Sequence, residues 1–429
     1  MTNPGDTNDG RVLKTAARQG DRETGGRKPI AAPDSAGTPG TGATGLKSSI
    51  IEDIGTIAAS EWNALDAAGD PFLSHEFLSA LEGTGCVGKA HGWFPRHLTL
   101  RNETGRLVGA SPMYLKDNSW GEFVFDWAWA DAFHRHGIPY YPKLVSGIPY
   151  TPVTGARLLA APDVNQGTVR RELIRQGIRY AGESGLSGAH WLFVRPDESE
   201  LLDESGLMRR TGLQYHWHNA GYCAFDDFLG SLTSRRRKTI RRERRYVAEQ
   251  GLTLQVRHGS ELDRGEWSMV HGFYASIYAR KHGYAALTED FFRRIGKSMG
   301  DRVVLVLALD RDRQPVACAI NFRGDDALYG RFWGSTGQYH SLHFEACYYQ
   351  GIEYCIRHGL HRFEPGAQGE HKIPRGFLPT ATWSAHWIAN PGFSTVLKRY
   401  CEQEQGLMVE EYRELMSLSP YRCATTPGG

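Results

Sequence analysis

Twice along this chain the sequence runs through the same order of elements. In the first half, residues 96–101 and 106–110 alternate apolar and polar positions around the turn Asn102-Glu103-Thr104-Gly105, the pattern of a β-hairpin. A third strand is predicted over 122–127, a helix over about 168–183 and a strand over 189–194. In the second half, residues 302–309 and 315–322 flank the polar turn 310–314, and a third strand at 327–333, a helix at about 344–358 and a short strand at 360–364 follow. An antiparallel start with an αβ finish, run twice, predicts an α+β fold built by duplication. The halves share little sequence, so the repeat rests on element order alone.

Length agrees with that reading, since 429 residues exceed what one core serves. The expected division is a first domain over 47–228, a basic helical linker over 229–250 and a second domain over 251–419. Residues 1–46 are rich in Gly, Thr, Asp, Pro and Arg and poor in large apolar side chains, so they are expected to be disordered, as is the tail 420–429. Residues 133–157 are dense in Tyr, Pro and Gly and read as an ordered loop system. Together with Trp127-Ala128-Trp129 they are expected to shape a cleft.

The net charge of +2 excludes a globally polyanion-binding chain, and the seven scattered cysteines, with no Cys-x-x-Cys pair, argue against a disulfide framework or structural zinc. No metal site is expected, because no metal-ligand spacing appears. No apolar leader and no run of about 18 apolar residues is present, which predicts a cytoplasmic protein without an integral membrane segment.

Two stretches concentrate chemistry. The run Phe363-Glu364-Pro365-Gly366-Ala367-Gln368-Gly369-Glu370-His371-Lys372, continuing to Arg375, follows a predicted strand end, where an αβ sheet opens its crevice. It gathers groups able to deprotonate an amine, orient a carbonyl and neutralise phosphate. Glu364 or Glu370 is the candidate base, Lys372 or Arg375 its electrostatic partner and His371 a further catalytic candidate. The plainer alternative pairs Glu370 with Arg375 across a tight loop and leaves His371 in water. Residues 235–245 hold eight basic residues and one acid, Glu243. On a helix Arg235, Lys238, Arg242 and Arg245 line one side, with Arg241 beside them, while Ile240 and Val247 lie on another. Such a ridge suits a phosphate-bearing partner, and a solvated surface helix is the bland alternative.

Other candidates are divided. Arg331, Trp333 and His343 are placed with the substrate, and Glu345 either joins them in a cleft or caps its helix. His386 shares a strand face with Ser384 and serves either the substrate or the packing. Cys347 and Cys355 read as helix-packing residues, not nucleophiles.

The segments Pro71-Phe72-Leu73-Ser74-His75-Glu76-Phe77-Leu78, Tyr329-Gly330-Arg331-Phe332-Trp333-Gly334, the stretch 343–352, the run 363–377 and Ser384-Ala385-His386-Trp387 resemble the FemAB-like family of N-acyltransferases, also described as peptidoglycan biosynthesis/recognition proteins. The resemblance spans about residues 50–405 and implies two tandem GNAT-like domains, each a mixed, mostly antiparallel sheet flanked by helices. It implies an amide-forming transferase without a bound cofactor, whose donor co-substrate is aminoacyl-tRNA or acyl-CoA. The acceptor is a small amine or peptidoglycan precursor, and a noncatalytic protein that recognises such precursors is the alternative. The Gly-rich turn that coenzyme A-dependent relatives place before their helix is missing between Phe332 and Glu345, which counts against a coenzyme A donor, and the basic run 235–245 is what points to tRNA.

Overall fold

The structure is a computed structural model that describes residues 45–422, apart from 68, 281, 282 and 368 and the side chain of 280. The expected N-terminal tail lies outside these residues but for 45 and 46, and only 420–422 of the C-terminal tail are described.

Alternating apolar segments form β1 (Lys47–Ile51), β2 (Trp93–Pro95), β3 (His97–Arg101), β4 (Leu107–Ser111), β5 (Met113–Lys116), β6 (Lys143–Ser146), β7 (Leu159–Ala160), β8 (Gly188–Val194) and β9 (Met208–His218). They continue with β10 (Thr253–His258), β11 (Val303–Leu309), β12 (Pro315–Arg323), β13 (Ala327–Ser335), β14 (Arg362–Glu364) and β15 (Leu378–Ile388). The main helices are α1 (His75–Gly83), α2 (Trp127–Arg135), α3 (Gln166–Glu183), α4 (Ser234–Glu249), α5 (Arg264–Arg280), α6 (Glu289–Met299), α7 (Gln350–His358) and α8 (Pro391–Ser417). The fold is α+β, with antiparallel-rich sheets flanked by helices as expected. Among the described residues no helix is long and apolar enough to cross a membrane.

Side-chain caps set several helix starts. Asn165 accepts from the Thr168 amide at α3, Thr288 from Phe291 at α6 and Asn390 from Phe393 at α8, each satisfying an orphan donor of the first turn. The basic helix α4 buries Ile240, Glu243 and Val247, so the two apolar residues seven apart do face the core.

Four strands form a small sheet in the order β1-β3-β4-β7. Eleven form the large one, β10-β11-β12-β13-β14-β9-β15-β8-β6-β5-β2, in which only β6–β8 and β13–β14 run parallel. The late strand β15 lies between the early strands β8 and β9, and β9 pairs in turn with β14. Both halves thus share one sheet. An apolar cluster also crosses between them: Phe72 packs 5.1 Å from Phe322, and Phe77 lies 5.5 Å from Phe291, ring centre to ring centre. Such aromatic pairs contribute about 0.5–1.5 kcal/mol each beyond the area they bury.

One predicted element is corrected. Residues 122–127 form no strand; Phe123 is left-handed at φ 61°, and β5 and β6 follow the hairpin instead. The alternation is real but inverted. Glu122 and Asp126 turn inward onto buried Lys143, while Phe123, Phe125 and Trp127 point into solvent. Two buried carboxylates around one ammonium outweigh the burial of three aromatic rings here, because unpaired buried charge is the costlier outcome. The loop system 133–157 is likewise more regular than expected, since it contains the end of α2 and all of β6.

Candidate active site

The large sheet parts beside β14. Strand β13 has nine residues but pairs with β14 only at Ala327–Arg362, Leu328–Phe363 and Tyr329–Glu364. Beyond Tyr329 no described strand pairs with β13 on that side, and the chain after Glu364 leaves as the loop that carries the signature run. At the point of parting, a Cβ on Gly330 would stand 3.2 Å from the Pro365 Cα, so a larger residue would push the loop back by a few tenths of an ångström. Strand β13 is also bulged here: Ile320 pairs with Phe332 and Asn321 with Gly330, which leaves Arg331 without a register partner on β12. A bulge re-aims its side chain. Arg331 donates from Nη2 to the Tyr150 carbonyl of the first half's loop system.

Glu364 sits at the floor of this opening, fully buried. Glu364 forms an ion pair with Arg362, whose Nε is 3.0 Å from Oε1, while His216 Nε2, 3.7 Å from Oε2, is beyond hydrogen-bond reach and meets Gln214 Oε1 at 3.3 Å instead. Burial pushes the carboxyl up to about 7; Arg362 and Arg331 oppose the shift and the charge of Asp70 adds to it. Asp70 itself is buried and raised to about 6, chiefly by desolvation against the pull of Arg157. It caps the turn Pro71–Leu73 through a 2.8 Å bond from the Phe72 amide, and Phe72 packs 5.3 Å from Tyr329. The first-half segment around Pro71 and the second-half run around Glu364 therefore meet in one buried cluster.

A second chain of contacts joins Trp333, His343 and His371. The Trp333 and His343 rings lie 5.6 Å apart, His343 and Tyr348 5.3 Å, and the Tyr348 hydroxyl is 2.8 Å from His371 Nε2. Burial lowers the His343 pKa to about 3, with His371, Lys372 and Arg375 each adding to the shift. His343 is hence a neutral imidazole among cations. Lys372 is buried and donates to the Gly366 carbonyl at 2.7 Å, which closes the loop on itself.

Glu370 and His371 are exposed. The alternative pairing of Glu370 with Arg375 does not form. Arg375 instead makes a bidentate pair with Glu243 of the basic helix, at 2.6 and 3.2 Å, and donates to the His371 carbonyl at 2.6 Å. Glu345 stands as an acid in the first turn of the helical stretch that runs on to His358, the plainer of its two expected places, but its buried carboxylate turns to Arg244 at 3.1 Å and makes no cap bond. His386 is set apart, eight residues along β15 from Leu378, or about 26 Å at a strand's rise. Its ring bonds His190 and Ser384 at 2.9 Å each and stacks edge-on to Trp129. The five ridge cations Arg235, Lys238, Arg241, Arg242 and Arg245 are all exposed. Arg241 pairs with Asp226 and Arg245 with Glu249, both at the surface. Among the described residues no cluster suited to a metal ion occurs.

Sequence reasoning passed over Asp70, Arg157, His216 and Arg362. Asp70 directly precedes the Pro71 segment and Arg362 lies two residues before Glu364, so both were within reach; His216 and Arg157 arrive only through strand pairing and tertiary packing.

The FemAB-like family model, described as peptidoglycan biosynthesis/recognition, matches residues 53–423. No curated protein matches the chain. Among solved structures, FemX is similar at a TM-score of 0.51 and 12% identity, over 80% of this chain and 98% of that one. The C-terminal DUF2156 domain assigned to a lysylphosphatidylglycerol synthetase of Agrobacterium fabrum gives 0.50 and 10%, over 79% and 94%. At such identities the likeness speaks to the fold. With the match of the family model over most of its length, the chain belongs to the FemAB-like family.

Proposed function

We propose that the protein is an amide-forming acyltransferase that moves an aminoacyl group from the ester of aminoacyl-tRNA to the amine of a peptidoglycan precursor or another small acceptor. The observation that carries this reading is Glu364. A buried carboxylate at the parting of β13 and β14, paired with Arg362 yet raised by burial to about 7, is poised to take a proton at neutral pH.

In the reaction the amine nitrogen bonds the acyl carbon and the ester C–O bond breaks. The amine's proton passes to Glu364, and the departing ribose hydroxyl takes up a proton. Arg331, whose charge already acts on Glu364, and Lys372 of the signature loop supply positive charge for the oxygen that becomes anionic. An ester is already activated, so positioning and proton removal suffice without a covalent intermediate. Cys347 fits that view, because burial pushes its thiol well above the ordinary range.

The exposed ridge on α4 supports a polyanionic donor, and the family's description supports a peptidoglycan-related acceptor. The test offers purified protein a charged total-tRNA pool and, in parallel, acyl-CoA thioesters, with an amine extract as acceptor. Acyl release from tRNA alone is expected. Release from acyl-CoA alone transfers the donor role to coenzyme A, and release from neither leaves the noncatalytic reading.

A further inference from the structure

The single acid in the basic run does not dilute the ridge's charge from the surface. Glu243 lies on the inner face of α4 with Ile240 and Val247, and its carboxylate takes both arms of Arg375 and the hydroxyl of Tyr349. The pair is almost closed to water, at 10% and 11% side-chain exposure. Arg375 also donates to the His371 carbonyl and stacks 3.4 Å over the Phe344 ring, so this one guanidinium ties α4 to the signature loop and to the turn that starts the helix behind it. The next residue along α4, Arg244, bonds Glu345 at 3.1 Å and Glu353 at 2.6 Å and covers the Phe225 ring. The outward cations of α4 and its inward ion pairs thus belong to one rigid piece of backbone.

We infer that Glu243 is a positioning residue, which through Arg375 locks the phosphate-binding ridge to the signature loop at fixed separation while Arg244 fixes the same helix against Glu345 and Glu353, so that a polyanion docked on the ridge orders the loop that meets its acyl end. This rests on the polyanionic-donor reading above. A buried bidentate pair transmits position because it has one low-energy geometry, whereas the exposed ridge side chains alone hold the ligand loosely. Among the described residues the Glu243–Arg375 pair joins the ridge helix directly to the loop.

The test reads hydrogen exchange, with uncharged total tRNA as the probe, in the wild type, Glu243→Gln and Arg244→Gln. The glutamine at 243 keeps shape and one hydrogen bond, and Arg244→Gln guards against a failure of the first variant to fold. In the wild type, tRNA is expected to slow amide exchange across 369–377. In each variant tRNA affinity and its salt dependence stay within about twofold, because no ridge cation is removed, while the protection of 369–377 falls by about tenfold, the scale of one charge-assisted hydrogen bond. Protection that persists in both variants, or binding to the wild type without protection, overturns the inference while leaving the donor reading intact. Failure of tRNA to bind the wild type overturns the donor reading and the inference with it.

Discussion

Glu364 shows how one residue's surroundings set both a chemical role and a cost in stability. Its folded-state pKa of about 7 lies above the 4.5 of an exposed glutamate, so the protonated form favours the fold. That contribution is complete below pH 4.5 and is lost as pH rises through 7; Asp70, raised from 3.8 to about 6, acts in the same direction over a lower window. Chemical denaturation is therefore expected to show the contribution of these two carboxyls falling between about pH 4 and 7, against the opposite trend of buried His343, whose lowered pKa makes its own contribution rise over much of that range. Glu364→Gln, which cannot ionise, is expected to flatten the upper part of that fall; an unchanged pH slope contradicts the assignment. Lys143 illustrates the opposite balance. Burial disfavours its charge, but Asp126 and Glu122 overcome this and hold it protonated, while burial raises Glu122 to about 7. Lys143→Met strands two buried carboxylates and is expected to cost about 3–5 kcal/mol, measured by denaturant unfolding.

At the scale of elements, the basic helix separates a surface for binding from a face for packing. Arg235→Ala with Lys238→Ala removes two exposed cations without touching the core, so the fold should be unaffected. The log–log salt slope of tRNA binding should lessen by about 1.5 units. Helix α7 makes a different demand. A Cβ on Gly351 would stand 2.3 Å from the Phe363 ring, so Gly351→Ala is expected to destabilise by about 1–3 kcal/mol although alanine favours a helix by about 1 kcal/mol. Thermal unfolding of that variant reports which effect is larger. Most elements were legible beforehand, because the second-half hairpin and α3 follow the periodicities that burial imposes: α3 was expected at about 168–183 and spans Gln166–Glu183. Residues 122–127 were misread since alternation alone does not say which set of side chains points inward. The bulge at Arg331 left no local signal, because a neighbouring strand fixes it, whereas Glu243, three residues after Ile240 and four before Val247, shares their helix face by spacing alone.

Across the whole molecule, the order of elements announced the α+β class, and the runs around Pro71 and Glu364 announced the family. Nothing in a linear reading announced that β15 would pass between β8 and β9, or that Asp70 and Glu364, far apart in sequence, would share one buried cluster. Strand pairing over such separations is set by the completed sheet, not by local pattern. The consequence is that both halves build the candidate base's environment. Its most direct test is the pH dependence of kcat/KM for amide formation by the wild type and Glu364→Gln, with the donor that supports turnover. An acid limb with a midpoint near pH 7 in the wild type, and a loss of about 10²–10⁴-fold with that limb abolished in the variant, is the expected result. A variant that retains wild-type activity and the same limb contradicts it.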